Sequence, residues 1–422
     1  MAGQAEPTRK SRLSRASTVY PDSAETLPRS SEGFYVKSSS AVCGIVACVA
    51  IALAVPHLYP HPSSHDDTLE FIPGNTNVTT EASACTAQRR DNATIEAALE
   101  AAVSGAFLAD AASLGFQGLY DAERMMRLLS KDNDTVYPPE FHKALNLEYK
   151  AKKGSFSAYA YEALPLMHTL LGKNTIEAET FSADTVAFLD GYKGHISPVM
   201  QDFLASSKQG LSGDDAASSR GNANSLVKVP LIVARYGGDP ALMGKVATAV
   251  QLHQSDADAL LAAHLFAAIL ERLTVFGGSL QEAVAWVSTE ETGLSGRARE
   301  WIEDVTSRGD LSAVDGAREI GIGPEAEQVL KSGLQVALKA EDYVSGVRQS
   351  IMAGGDTTSR AHVVGALLGA LHGDEALPGA WQKKAKKYME VKQMAHIVIV
   401  QRKTFVPFHI NRDPAQQPEA SK

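Results

Sequence analysis

The chain has little cysteine, and what it has is badly placed for a framework. Of 422 residues only three are cysteines. Cys43 and Cys48 lie inside an apolar run and Cys85 stands alone beyond it. That excludes a disulfide scaffold and a cysteine-based zinc site. Basic charge is also short. Forty Lys and Arg against 49 Asp and Glu leave a formal charge of −9, and no basic stripe with interleaved aromatics offsets it, so nucleic acid is excluded as a partner. His253, His264, His362 and His372 include no i, i+4 pair with a supporting glutamate. There is no G-x-S-x-G elbow and no phosphate-cradling P-loop either, which sets aside zinc hydrolases, serine hydrolases of the elbow type and P-loop enzymes. Strand patterning is scarce: no hairpin or alternating run stands out, and only 397–406 has local β character.

Long hydrophobic runs are reduced to one. Residues 41–55 are continuously apolar or small, and Leu58 and Tyr59 extend the run towards the roughly 20 residues that span a bilayer. Residues 1–40, rich in Ser, Thr, Pro and Arg, read as a disordered tail, and 60–91, with Pro60, Pro62 and Pro73, read as a linker. Residues 41–59 are therefore expected to be a membrane anchor or signal segment. Arg29 and Lys37 precede it and no Lys or Arg follows until Arg89, which keeps the amino end cytosolic and places the rest in a lumen or outside the cell. Sequons at Asn77, Asn92 and Asn133 suit a glycoprotein in that placement. Ala52-Leu53-Ala54 also fits a signal-peptidase site, giving a secreted protein, and a transit peptide is a third reading.

What is abundant is helical spacing. Hydrophobic content of 44% with 21% charge marks a globular chain, and from 92 to 400 alanine- and leucine-rich segments recur at helical spacing. Helices are expected over 94–114, 121–129, 156–171, 182–204, 225–236, 240–253, 256–276, 280–288, 296–306, 324–338, 343–352, 359–372 and 381–394. The fold class is all-α in one domain, with 401–422 as a polar tail. Gly105, Ala109 and Ser113 share one helix face, as do Gly365, Gly369 and Gly373, so these two helices can approach others closely.

The stretch Ala353-Gly354-Gly355-Asp356-Thr357-Thr358-Ser359-Arg360 leads into the last of those glycine faces. Two glycines permit a sharp turn and the next four residues are all good helix caps. Free N–H groups at such a helix start, with Arg360 nearby, make a candidate anion site; an over-capped core helix explains the same letters. Lys228 interrupts the apolar run 226–234, a costly place for an ammonium unless it is paired, faces a cleft or snorkels to water.

Gly105-Ala106-Phe107-Leu108-Ala109-Asp110-Ala111-Ala112 and Gly354-Gly355-Asp356-Thr357, taken together, resemble the ADP-ribosylglycohydrolase family. Gly221-Asn222-Ala223-Asn224-Ser225-Leu226-Val227-Lys228, His253-Gln254-Ser255-Asp256 and Leu377-Pro378-Gly379-Ala380-Trp381 match in order. The resemblance implies an all-α fold whose cleft holds ADP-ribose over two magnesium ions and hydrolyses its bond to a protein side chain. The chain departs from the family's pattern at the metal motifs. The second motif usually reads Gly-Gly-Asp-Thr-Asp-Thr, and here its second aspartate position is Thr358. The first, usually a Thr-Asp-Asp cluster, lies where this chain has Ser155-Phe156-Ser157-Ala158-Tyr159-Ala160-Tyr161-Glu162, which offers only Glu162. In this it resembles the branch that includes a lens crystallin.

On that resemblance Asp356, Glu162 and Asp110 are the candidate catalytic residues. Gly354, Gly355, Arg360, Asn224, Lys228 and Tyr159 are candidates for binding substrate, and Asp356 is the candidate metal ligand. Asp121 belongs to the same set of polar groups. Magnesium is the implied cofactor, with a dinuclear site disfavoured, because hydroxyls do not neutralise two close divalent cations as carboxylates do. The implied partners are an ADP-ribose-type small molecule or an ADP-ribosylated protein. The implied function is hydrolysis of an N- or O-glycosidic bond; the alternative is an inactive member that binds ADP-ribose or a protein, or is structural.

Overall fold

A computed structural model of the chain describes residues 88–404, apart from 133–134, 147–148, 150, 290–291 and 295. The expected tail 1–40, the anchor or signal segment 41–59, most of the linker and residues 405–422 lie outside the described residues. Two small elements follow the first helix, α1 (Asn92–Ser113): the short α2 (Ala122–Leu129) and a hairpin of β1 (Ser130–Asp132) with β2 (Thr135–Val136). Then come α3 (Ala158–Gly172), α4 (Ala178–Leu189), α5 (Pro198–Lys208), α6 (Val229–Tyr236), α7 (Leu242–Gln251) and α8 (Ala257–Glu271). The last half of the chain adds α9 (Leu280–Val287), α10 (Gly296–Thr306), α11 (Ala313–Ile320), α12 (Ala326–Lys339) and α13 (Tyr343–Ala353). It ends with α14 (Thr357–His372), α15 (Gly379–Gln382) and α16 (Tyr388–Val400). The fold is all-α.

α1 and α14 form the centre. Both are buried nearly all round, α1 from Ala101 to Ser113 and α14 from Thr357 to Ala370. They meet on the two small-residue faces: a Cβ on Gly365 would overlap the carbonyl oxygen of Gly105, and one on Gly369 that of Ala101. Tyr343 of α13 donates from its phenol to the Gly105 carbonyl at 2.7 Å. Around this pair α12 and α13 pack on α14, while α6 and α16 pack on α1. Each fully buried Leu, Val or Phe there adds about 1.5–3 kcal/mol of transfer free energy. Among the described residues, two helical stretches, Asn92–Phe116 and Ala257–Phe276, are long and apolar enough to cross a membrane, yet 89% and 72% of their most apolar windows are buried inside the protein.

Local chemistry explains where the sequence reading differs. The expected helix 182–204 is two, α4 and α5, because Ser197 caps a new start and Pro198, lacking an N–H, fits the first turn of a helix better than its interior. α11, capped by Ser312, was not expected. The β character of 397–406 gives way to helix as far as Val400, since Val398 and Ile399 are buried on one face of α16. The hairpin at 130–136 is present although no hairpin stood out.

Candidate functional site

At the start of α14 the glycine pair does its expected geometric work. Gly354 and Gly355 have φ of 82° and 70°, the left-handed region that glycine enters at no steric cost. The N–H groups, however, are already used. Gly354 N donates to Ile351 O, Gly355 N to Leu119 O, Asp356 N to Ile322 O and Thr357 N to Gly355 O, at 2.8–3.0 Å. Thr358 N donates to Oε1 of Gln117 at 2.8 Å. An anion finds no free backbone N–H from Gly354 to Thr358.

Asp356, the N-cap residue, does not cap its helix. Its Oδ1 accepts from Nε2 of Gln117 and its Oδ2 from the phenol of Tyr159, both at 2.8 Å. Burial raises its pKa, partly offset by those donors and by Arg360. Arg360 is wholly buried, and its Nη2 donates to the carbonyls of Ser350 at 2.7 Å and Gly354 at 2.5 Å. It neutralises the carboxyl-terminal end of α13 rather than facing a phosphate. Burial pushes its pKa down to about 10.

The starts of α3 and α5 share a different device. Ser157 caps α3 and is itself clasped by Asp110 of α1: the Ser157 N–H donates to Oδ1 at 2.8 Å and its hydroxyl to Oδ2. Ser197 caps α5 and is clasped by Glu162, its N–H donating to Oε1 and its hydroxyl to Oε2, both at 2.6 Å. Asn224 donates to Glu162 Oε2 at 2.7 Å and to the Ser197 hydroxyl at 2.8 Å. Burial pushes both carboxyls up to about 7. Lys228, also buried, donates to the Ala249 carbonyl at 3.0 Å, and burial pushes its pKa down to about 7, with the charge of Glu162 opposing that shift.

Outside these clasps the α3 and α5 starts border a cavity of about 880 Å³, lined among others by Tyr149, Ser157, Ala158, Tyr192, Lys193 and His195. The rings of Tyr149 and His195 meet edge to face at 4.6 Å, and Tyr192 stacks on Tyr161 at 4.0 Å. A space of that size, with planar rings, an exposed ammonium and two helix starts, suits a ligand that is both aromatic and anionic.

Of the residues singled out from sequence, Tyr159 with Asp356 and Glu162 with Asn224 are brought into contact. Asp110, Glu162 and Asp356 are each engaged at a separate helix start, and the charge of Asp356 adds to the burial that raises Asp110. Asp121 caps α2 on the surface, its Oδ1 accepting from Arg124 N at 2.8 Å. His253 is packed between Phe181 and Phe203. Missed were Gln117, Ser157, Ser197 and the cavity residues 192–195. Ser197-Pro198 carried a readable helix-start signal; Gln117 carried none.

The residues do not fit a pair of divalent cations. Among the described residues no group of three or more His, Cys, Asp or Glu could hold a metal ion, and both oxygens of Asp356 face neutral protein donors.

A family model described as ADP-ribosylglycohydrolase matches residues 91–405. Crystallin J1A of Tripedalia cystophora is 26% identical over 316 residues, covering 70% of this chain and 94% of the crystallin. Crystallin J1B of the same organism is 23% identical over 323 residues, covering 71% and 95%. Among solved structures, an ADP-ribosylglycohydrolase-related protein complex superposes with a TM-score of 0.52 at 17% identity, over 74% of this chain and 98% of that one, a likeness of fold.

Proposed function

The chain belongs to the ADP-ribosylglycohydrolase family, and on that premise we propose that it hydrolyses an N- or O-glycosidic bond of an ADP-ribose-type ligand in the cavity beside α3 and α5. The observation that carries this reading is Ser157. It lines the cavity, and its hydroxyl donates to Asp110, a carboxyl that burial pushes up to about 7, which suits acid–base work at neutral pH. Asp110 takes a proton through the Ser157 hydroxyl from a water whose oxygen attacks the anomeric carbon. The glycosidic bond breaks, and the leaving nitrogen or oxygen takes that proton back from Asp110 through the same hydroxyl, while Glu162 holds Ser197 at the α5 start. Tyr149, Tyr192 and His195 stack against the base, and Lys193 with the α3 start holds the phosphates. Arg360, Gly354 and Gly355 hold the protein together around Asp356 rather than touching ligand. Magnesium supplies no step in this reading.

A second reading has its own support. The J1 crystallins align over nearly their whole length, and the carboxylates are engaged as helix clasps, so the same cavity can bind without turnover. Incubating the full chain with ADP-ribosylated peptides decides between them. Release of free ADP-ribose that Ser157→Ala and Asp110→Asn abolish supports hydrolysis; ADP-ribose binding without release supports the second reading; neither binding nor release removes both. The substrate class extends to ADP-ribosylated proteins. We propose further that 41–59 anchors the domain in a membrane with 92–400 lumenal or extracellular, or is cleaved to secrete it. A mobility shift on deglycosylation, reduced in Asn92→Gln, tests the placement; Asn92 is exposed at the start of α1.

A further inference from the structure

The start of α14 is where the resemblance expects cations, and its charge is already balanced. Asp356 brings one negative charge, and Arg360, wholly buried and electrostatically coupled to it, brings one positive charge. Two divalent ions beside this pair would leave a buried excess of positive charge that Gln117, Tyr159 and Thr358, all neutral, do not absorb, a cost that rises steeply away from water. The side chains also close the space chemically. Gln117 is fixed at both ends: its amide N–H₂ donates to Asp356 Oδ1, while its carbonyl accepts the Thr358 N–H and hydroxyl at 2.8 and 2.9 Å. A flipped amide would set N–H₂ against N–H, so the orientation is determined by the network. Thr358, at the position of the family's second aspartate, is thus turned to Gln117. Tyr159, in the stretch where the first acidic cluster is expected, supplies the phenol on Oδ2.

We infer that in this chain Tyr159 and Gln117 replace the divalent cations as the partners of Asp356, acting as positioning residues that hold the carboxylate and the α14 start in register without metal. The inference stands whether or not the cavity turns over substrate, because its readout is cation binding by the protein alone.

The test uses the full chain. Thermal unfolding is recorded in EDTA and in excess Mg²⁺ or Mn²⁺, and Mn²⁺ binding is followed by electron paramagnetic resonance, for the wild type, Tyr159→Phe, Asp356→Asn and the double variant Tyr159→Asp with Thr358→Asp. The wild type is expected to unfold at the same midpoint with and without cation and to leave Mn²⁺ free. Tyr159→Phe is expected to unfold at a lower midpoint and to stay indifferent to cation. The double variant, which returns two carboxylates, is expected to gain Mn²⁺ binding and a midpoint that rises with Mg²⁺; a merely structural tyrosine gives no such gain. A wild-type midpoint raised by Mg²⁺, with the rise lost in Asp356→Asn, overturns the inference. So does a folded double variant that binds Mn²⁺ no better than the wild type. Should the double variant not fold, wild-type binding of Mn²⁺ in an Asp356-dependent manner overturns the inference and its absence supports it.

Discussion

The start of α14 and the starts of α3 and α5 are built from the same parts and end in opposite conditions. Each has a Ser- or Thr-bearing helix start and a buried carboxyl against it. At α14 the backbone N–H groups from Gly354 to Thr358 donate to protein acceptors and Asp356 is 2% exposed. At α3 the clasped Ser157 and its neighbour Ala158 form part of a cavity wall. A helix start binds ligand only where its donors are left over and water can be displaced from them. The stretch that looks most like an anion site in the sequence is the one the fold has closed.

The sharpest way to break this contrast is Arg360→Ala. If Arg360 is internal neutralisation, the variant strands Asp356 and the carbonyls of Ser350 and Gly354, and we expect a loss of about 3–5 kcal/mol in urea unfolding. A variant that keeps its stability and loses only ADP-ribose binding would return Arg360 to the role its sequence neighbourhood suggested.

Next in size is pH. Asp110 and Glu162 titrate near 7 in the folded protein against 3.8 and 4.5 as free side chains. Between those limits the folded state binds more protons than the unfolded one, so stability falls as pH rises from about 4 to 7, by on the order of a few kcal/mol. Lys228 works the other way. Its folded value near 7 lies below 10.5, the unfolded state binds the extra proton, and stability climbs again from about 7 towards 10. Denaturant midpoints across this range should therefore pass through a minimum near neutrality. Glu162→Gln should flatten the acid limb and Lys228→Met the alkaline one. A stability curve flat from 5 to 9 would show that these groups are solvated.

Smaller again is Tyr159→Phe, which removes one side-chain donor from a buried carboxylate and should cost about 1.5–3 kcal/mol, read from the denaturation midpoint at fixed pH. A shift no larger than that of a surface substitution would say that the phenol is not what holds Asp356.

The all-α class and the close approach of α1 and α14 to other helices were legible because they rest on periodicity and on small residues at four-residue spacing, both written locally; that the two meet each other was not. Asp356, Glu162, Asp110 and Lys228 were legible as polar residues in apolar surroundings. Their partners were not. Gln117 meets Asp356 across 239 positions and Ser157 meets Asp110 across 47, and no local pattern encodes a contact of that range. The cavity residues 192–195 were missed for a related reason. They lie in the break between α4 and α5, where a single helix was expected, and a helix there would have turned them elsewhere.

The smallest effect on stability is the most telling for function. Lys193 is exposed at the cavity, and His195 packs edge to face on Tyr149 in its lining. Lys193→Ala should leave the unfolding free energy within about 0.5 kcal/mol, as for other exposed side chains. Its charge reaches the cavity through water, so its contribution to holding phosphates should be modest and screened by salt. We expect ADP-ribose affinity to fall about tenfold, or about 1.4 kcal/mol, in calorimetric titration at low ionic strength, and the difference from wild type to shrink as salt is added. Because Lys193 contributes nothing to the clasps, a loss of binding at unchanged stability locates the ligand on the α3–α5 side of the molecule. Unchanged binding in Lys193→Ala and in His195→Ala alike would move the ligand away from this cavity, and the open helix starts would then be, like the closed one, a matter of folding alone.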